Sequence, residues 1–100
     1  LILAENVAKV YNVSRADQDK FSANSQLKYK NALQSGNFKN EIVPVKLVVR
    51  KEEKLIVEDE FPKLETTVET LSKLRSCFIP PNEGGTITAG NASGINDGAA

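Results

Sequence analysis

The spacing of apolar and polar residues in the first part of the chain predicts two helices. Residues 4–11 place two valines on one side of a short helical stretch. A second helix begins after Ser14, because Ser14 and Asp17 have the spacing of a capping box that binds the free N–H groups of a helix start. We expect this helix to reach about Ser35 and to end at Gly36, since glycine readily adopts the left-handed conformation that closes a helix.

The pattern changes after Glu41 to one that is typical of strands. Residues 42–49 are rich in β-branched side chains. Pro44 lies at a sheet edge or a bulge, because proline has no N–H to donate to a neighbouring strand. Residues 50–53 form a charged turn and residues 54–57 a returning strand, so this part of the chain predicts a β-hairpin.

The last third of the chain combines one helix with loops. Thr66 and Glu69 have the spacing of a second capping box, which predicts a short helix through Leu74. We expect residues 86–89 to form a short strand before the Gly, Ala, Asn and Ser residues that dominate 90–100. Two helices, a hairpin, a third helix and this small-residue tail predict the α/β class.

Composition excludes several classes of function. A chain of 100 residues forms one domain at most, and its 13 acidic and 13 basic residues give no net charge. A balanced charge removes the usual electrostatic attraction to nucleic acid or to an anionic membrane. The longest apolar runs fall far short of the roughly 20 residues that span a bilayer. We therefore expect neither nucleic acid nor a membrane as a partner.

The absence of histidine bears directly on catalysis. Cys–His and Ser–His–Asp mechanisms both use an imidazole as the base, and the sequence contains no histidine. A single cysteine, Cys77, cannot fill the four-ligand shell of a zinc site, and it cannot form an internal disulfide. The chain alone is a poor candidate for an enzyme, and we expect no catalytic residue and no metal ligand within it.

Both ends of the sequence suggest an excerpt. The chain starts at Leu1 rather than at methionine, and it stops in small residues at 98–100 without a helix stop signal. We expect it to be part of a longer protein.

Four stretches of the chain together resemble the thiolases. They are residues 4–8 (AENVA), 14–26, 41–45 (EIVPV) and 88–100, the last of which reads TAGNASGINDGAA. The first three are weak alone, but the order of residues in the last rarely arises by chance. The resemblance covers almost the whole chain, and it is strongest to the biosynthetic branch, the acetyl-CoA C-acetyltransferases that form acetoacetyl-CoA.

This resemblance implies a fold and a reaction. Thiolases consist of two similar α/β halves with a loop domain inserted in the first. Residues 1–95 would form most of that loop domain, and residues 96–100 would begin the return to the N-terminal half. These enzymes condense two acetyl-CoA molecules, or run the reverse thiolysis, through an acyl-cysteine intermediate. The nucleophilic cysteine would lie upstream of this chain, and a histidine and a second cysteine downstream. Cys77 is therefore expected to be a small buried hydrophobic side chain.

The resemblance also assigns part of the coenzyme A groove to this chain. Lys63 occupies a position where relatives often carry a cation near the nucleotide, the alternative being a surface lysine without a ligand. Thr70 matches a hydroxyl that faces the coenzyme, or else it bonds the backbone of its own helix. Cys77 and Phe78 would line the apolar side of the groove, with Phe78 near the adenine or, alternatively, in the core.

Ser93 is the strongest of the site residues that the resemblance implies. Relatives use the matching serine to bond an amide of the pantetheine arm, while Gly90 and Gly94 allow a close approach of the backbone. Ala89 and Ile95 would border the tunnel that carries the thioester. The alternative is a glycine-rich turn without a ligand.

The same resemblance gives expectations about substrates, partners and location. Coenzyme A and acetyl-CoA would be substrates, no cofactor would be bound covalently, and the parent would be a homodimer or a homotetramer. Gln26 stands where potassium-activated mitochondrial relatives have a tyrosine beside the metal. We therefore expect no potassium site and a cytoplasmic enzyme, with a mitochondrial one as the alternative. Two other functions stay open: a catalytically inactive thiolase-like protein that binds coenzyme A or lipid, and a fragment that serves only subunit contacts.

Overall fold

The computed structural model describes residues 2–100 and divides them into two compact units. One unit combines the residues up to Ser25 with Thr66–Ala100, and the other is Gln26–Glu65. Within these residues the chain forms three α-helices, one two-stranded sheet and one short 3-10 helix. None of these helices is both long enough and apolar enough to cross a membrane.

Two helices open the chain, as the hydrophobic spacing predicts. Helix α1 is Ile2–Val10 and helix α2 is Arg15–Gln34. The hydroxyl of Ser14 accepts the backbone N–H of Asp17 at 3.0 Å, which is the predicted cap of α2. Gly36 has φ +73°, the left-handed conformation expected after the last helical turn. Both helix predictions are confirmed to within two residues.

The middle of the chain is a β-hairpin with a shorter turn than predicted. Strand β1 (Val45–Val49) pairs antiparallel with strand β2 (Glu52–Ile56). The turn contains only Arg50 and Lys51, and both have positive φ, at 52° and 66°. Two central residues with positive φ match a type I′ turn, whose twist suits a two-residue hairpin connection. The prediction that residues 50–53 all lie in the turn is therefore wrong, because Glu52 and Glu53 belong to β2.

Two aromatic rings stabilise the unit Gln26–Glu65. Tyr29, in the second half of α2, stacks on Phe38 with ring centroids 5.3 Å apart, and both side chains are half-buried. Burial raises the pKa of the Tyr29 phenol, and the carboxylates of Asp59 and Glu58 raise it further because they repel the phenolate.

This raised pKa predicts a loss of stability in alkali. The unfolded chain releases the Tyr29 proton near the ordinary pKa of about 10, whereas the folded chain releases it at higher pH. The contribution to the free energy of unfolding is therefore fully present below the unfolded pKa, and it is lost as pH rises through the folded pKa. A phenolate absorbance titration of the protein minus that of Tyr29→Phe should show a midpoint above the ordinary value. Asp59→Asn should lower that midpoint, and a midpoint at or below the ordinary value would contradict the assignment.

Helix α3 is Val68–Ser72, and its cap lies one residue later than predicted. Thr67, rather than Thr66, is the N-cap residue: its hydroxyl accepts the N–H of Thr70 at 3.2 Å, and its own N–H bonds the Thr70 hydroxyl at 3.0 Å. A threonine thus takes the place usually held by Glu in the reciprocal pair. The predicted pairing of Thr66 with Glu69 is wrong because Thr70 can satisfy the N-cap N–H through its own hydroxyl.

After α3 the chain is mostly irregular. A 3-10 helix, Pro81–Glu83, lies in the proline-rich loop. The predicted strand at 86–89 is reduced to one antiparallel bridge between Ser76 and Thr88. Within residues 2–100 the buried apolar side chains are Leu71 and Ile87, which are 4% and 6% exposed. Because this core is so small, polar contacts must supply much of the order in this unit.

Candidate functional site

The glycine-rich segment (residues 85–95) contains the predicted site residues Ala89, Ser93 and Ile95, and helix α1 anchors its beginning. The side chain of Glu5 is only 5% exposed. Its two carboxylate oxygens lie 2.9 and 3.1 Å from the backbone N of Thr86, and one of them also accepts the Thr86 hydroxyl at 2.8 Å. The same oxygen accepts the N–H of Ile87 at 2.5 Å. Charged acceptors bind such donors strongly, so Glu5 fixes the first residues of the segment against α1.

Asn91 closes a turn within the glycine-rich segment. Its amide oxygen accepts the N–H of Thr88 at 2.7 Å, and its amide nitrogen donates to the carbonyl of Thr86 at 2.9 Å. The Thr88 hydroxyl accepts the backbone N–H groups of Gly90 and Asn91, each at 3.1 Å. Side-chain bonds of this kind hold an irregular backbone in one conformation without a strand or a helix.

An ion pair with a buried carboxylate ties this turn to helix α2. Asp19, which is 2% exposed, accepts the Asn91 amide at 3.1 Å and the Nε–H of Arg15 at 2.9 Å. The guanidinium of Arg15 also donates to the carbonyls of Leu71 and Leu74, at 2.7 and 2.9 Å. The Leu71 carbonyl lies in the last turn of α3 and the Leu74 carbonyl two residues beyond it, where the partial negative charge of the helix end favours a cation. Arg15 and Asp19 thus join α2, α3 and the glycine-rich segment.

Two glycines of the segment lie where a side chain would not fit. A Cβ at Gly90 would lie 2.5 Å from the Leu71 side chain and 2.6 Å from that of Leu74. A Cβ at Gly85 would lie 1.7 Å from the carbonyl oxygen of Ile79. In this structure the close approach of Gly90 is to the side chains of Leu71 and Leu74, so the packing of this chain favours a glycine there without reference to a ligand.

Three predicted site residues of the segment face solvent. Ser93 follows the Asn91 turn by two residues, is exposed, and makes no hydrogen bond to any other residue that the structure describes. Ala89 and Ile95 are exposed as well. The backbone is held by Glu5 and Asn91, while these three side chains stay accessible. This arrangement suits a surface that contacts a ligand.

Cys77 and Phe78 follow α3 and lie beside the glycine-rich segment. The backbone N–H of Cys77 donates to the carbonyl of Ile87 at 2.8 Å. The prediction that Cys77 is buried is wrong, because its side chain is exposed. Side chains alternate between the two faces of an extended backbone, and in this pairing Ser76 turns inward and Cys77 outward. Phe78 is 45% exposed, so it is not a core residue of this chain.

Thr70 bonds its own helix start, the alternative that the sequence left open. Its hydroxyl donates to the carbonyl of Thr67 at 2.9 Å and accepts the N–H of the same residue. The Thr70 hydroxyl also accepts the hydroxyl of Thr67 at 3.3 Å. Since a hydroxyl has one proton and two lone pairs, Thr70 can accept from a ligand only in place of this bond. Its contact with a coenzyme stays a prediction.

Lys63 belongs to the unit Gln26–Glu65, whereas the other six predicted site residues belong to the first unit. Its side chain is exposed, and its backbone N–H donates to the side-chain oxygen of Gln26 at 3.0 Å. Gln26, the residue that argues against a potassium site, therefore has a structural partner in this chain.

The residues that organise the site were not assigned a role from the sequence. Glu5, Arg15, Asp19 and Asn91 all lie within the stretches that carry the thiolase resemblance, which by itself implies no structural role for them. No local signal marks them, because the neighbours of Glu5, Ala4 and Asn6, are equally compatible with an exposed acid. Among residues 2–100, His, Cys, Asp and Glu side chains form no group that could hold a metal ion.

Comparison with known proteins agrees with the resemblance. Residues 2–100 match the model of the family described as "Thiolase, N-terminal domain". The chain is 53% identical to an acetyl-CoA acetyltransferase of Thiocystis violacea and 52% identical to one of Escherichia coli (strain K12), in both cases over 99% of its length. It spans only about a quarter of these relatives, 25% and 24% of their lengths.

Solved structures have the same local fold. The acetyl-CoA acetyltransferase of Bacillus anthracis matches with a TM-score of 0.86 and 37% identity, covering 94% of this chain and 23% of that one. The human mitochondrial 3-ketoacyl-CoA thiolase in complex with CoA matches with a TM-score of 0.77 and 39% identity, covering 92% and 22%. The family match extends over the helices, the hairpin and the anchored glycine-rich segment alike, and we conclude that this chain belongs to the thiolase family.

Proposed function

We propose that this chain is the coenzyme A-binding segment of an acetyl-CoA C-acetyltransferase. The whole enzyme condenses two acetyl-CoA molecules to acetoacetyl-CoA and coenzyme A, or runs the reverse thiolysis, through an acyl-cysteine intermediate. The names of the relatives support this reaction. The nucleophilic cysteine and the catalytic histidine lie outside the segment, because the chain contains no histidine to act as the base for its one cysteine. The segment alone is inactive.

The exposed hydroxyl of Ser93 is the observation that carries this proposal. It has no partner among the described residues, and it stands on a backbone that Glu5 and Asn91 hold in place. A serine hydroxyl can donate to the carbonyl of a pantetheine amide or accept from its N–H. A free polar group on a fixed backbone binds with little loss of conformational entropy.

The other predicted residues supply the apolar surface, the positive charge and the second hydroxyl of the proposed groove. Phe78, Ala89 and Ile95 offer exposed apolar surface for the pantetheine arm and the adenine, with Cys77 adjoining Phe78. Lys63 supplies a positive charge for a phosphate of the nucleotide, acting as a point charge. Thr70 accepts a hydrogen bond from the ligand in place of the one from the Thr67 hydroxyl.

The setting of the segment in the enzyme follows from the same proposal. Residues 1–95 form most of the loop domain, and residues 96–100 lead back to the N-terminal half. The enzyme is a cytoplasmic homodimer or homotetramer without a potassium site at Gln26.

Substitution of Ser93 in the full-length enzyme tests the proposal. Ser93→Ala should raise the KM for coenzyme A in thiolysis about fivefold, the equivalent of one hydrogen bond of about 1 kcal/mol. The matched control is Ser72→Ala, which removes an exposed hydroxyl that bonds only the Glu69 carbonyl of its own helix, at 2.7 Å. It should leave that KM unchanged. An unaltered KM in Ser93→Ala would remove Ser93 from the site, and binding of coenzyme A without turnover by the unaltered protein would favour an inactive binding protein.

A further inference from the structure

We propose that Asp19 and Asn91 form a positioning pair for Ser93. The buried carboxylate of Asp19 holds the side-chain amide of Asn91. That amide in turn fixes the position of the Ser93 hydroxyl, which binds the pantetheine arm. The inference rests on the proposed function, and it assigns a role in coenzyme binding to two residues that do not contact the coenzyme.

The carboxylate of Asp19 is itself held in one orientation. One oxygen accepts the Nε–H of Arg15 at 2.9 Å and the other accepts the Asn91 amide at 3.1 Å. Since Asp19 is 2% exposed, water has little access to its carboxylate. The guanidinium of Arg15 is in turn fixed by the carbonyls of Leu71 and Leu74. Each oxygen of Asp19 therefore has a different, fixed donor.

The side-chain amide of Asn91 makes two kinds of bond: two that shape the turn and one that attaches the turn to helix α2. Its bonds to Thr88 and Thr86 lie within the glycine-rich segment and shape the turn. Its bond to Asp19 attaches that turn to α2. A change at Asp19 thus leaves the internal bonds of the turn intact and releases only the attachment.

Ser93 directly follows this turn, and the backbone between them has little conformational freedom. The N–H of Ala92 donates to the carbonyl of Thr88 at 3.0 Å, so the turn extends to the residue before Ser93. Beyond Ser93 the chain has no regular structure up to residue 100. The position of the Ser93 hydroxyl is therefore set from the Asn91 side.

Asp19→Asn in the full-length enzyme tests the attachment with almost no change in volume. The new amide has one oxygen for two donors. The charged guanidinium takes that oxygen, so the new NH₂ group faces the NH₂ group of Asn91 and their bond is lost. We expect the KM for coenzyme A to rise about fivefold, as in Ser93→Ala, with little change in kcat. Asp17→Asn, an exposed carboxylate on the same helix, is the matched control and should leave the KM unchanged.

A second variant removes the same bond from the other side, together with the bond of the Asn91 amide to the Thr86 carbonyl. Asn91→Ser keeps a hydroxyl that can accept the Thr88 N–H, but it is too short to reach Asp19. Asp19 then stays paired with Arg15, and the KM should rise to a similar extent. A purely structural role would instead lower the fraction of active enzyme, which reduces the apparent kcat at an unchanged KM.

A double-mutant cycle decides whether the pair acts through Ser93. In the Ser93→Ala background, Asp19→Asn should have no further effect on the KM for coenzyme A, because the group that it positions is gone. Additive effects, a loss of kcat alone, or failure to obtain either variant as folded enzyme would overturn the inference. If Ser93→Ala by itself left the KM unchanged, the proposed function of Ser93 would fail instead, so the two failures are distinguishable.

Discussion

Glu5→Leu should lower the free energy of unfolding by about 3–5 kcal/mol, the largest effect that we expect from a single side chain in this segment. Leucine fills much of the same space but accepts no hydrogen bond. The N–H groups of Thr86 and Ile87 would then be left without an acceptor, and Ile87 is buried. Each buried donor that loses its partner costs about 1–3 kcal/mol.

Amide hydrogen exchange measures this effect where it arises. Exchange at the N–H of Ile87 should accelerate by about a thousandfold in Glu5→Leu, the factor that corresponds to about 4 kcal/mol. Glu5→Gln should have a much smaller effect, because one oxygen of Glu5 accepts three of the contacts and the amide oxygen of glutamine can replace it. Glu69→Leu, at an exposed position on α3, is the control. Unchanged exchange at Ile87 would show that the carboxylate does not hold the segment.

Gly85→Ala should destabilise the first unit by about 3 kcal/mol, at the upper end of the usual cost of overpacking. The added methyl group would lie 1.7 Å from the carbonyl oxygen of Ile79 and 2.7 Å from the hydroxyl of Ser76. The first of these atoms belongs to the backbone, so it cannot swing away as a side chain does. Relief requires a shift of the loop, and that shift also displaces Thr86 from Glu5.

Gly98→Ala provides the matched control, because a Cβ at Gly98 meets no atom within 4 Å. Chemical denaturation of the two variants and the parent protein should show a lower midpoint for Gly85→Ala alone. Equal midpoints for the two variants would mean that the loop at 79–85 relaxes freely and does not support the glycine-rich segment.

Local signals in the sequence predicted the local structure well. The Ser14 cap and the stop at Gly36 act through backbone groups only a few residues away, so they could be recognised without knowledge of the rest of the fold. The hairpin was recognised for the same reason. Its turn was misjudged because Arg50 and Lys51 adopt positive φ, which residues other than glycine and asparagine rarely do.

The contacts that build the candidate site could not be predicted from neighbouring residues in the sequence. Glu5 meets Thr86, and Asp19 meets Asn91, across 81 and 72 residues of sequence. No spacing rule links such pairs, and a buried acid on a helix has the same local pattern as an exposed one. The resemblance predicted the segment that carries Ser93, and the structure adds the buried partners that hold its backbone. The burial of Cys77 was predicted from residue type alone. The bridge between Ser76 and Thr88 instead turns the Cys77 side chain toward solvent.

The pairing of Glu5 with Thr86 also has a consequence for synthesis on the ribosome. Helix α1 has nine residues, too few to be stable in isolation, and its anchoring donors are translated 81 and 82 residues after Glu5. At about 5–20 residues per second, roughly 4–16 s pass before they emerge. Helix α1 therefore stays unanchored on the nascent chain for many seconds. Slower translation of the intervening hairpin should increase its capture by chaperones, and faster translation should reduce it.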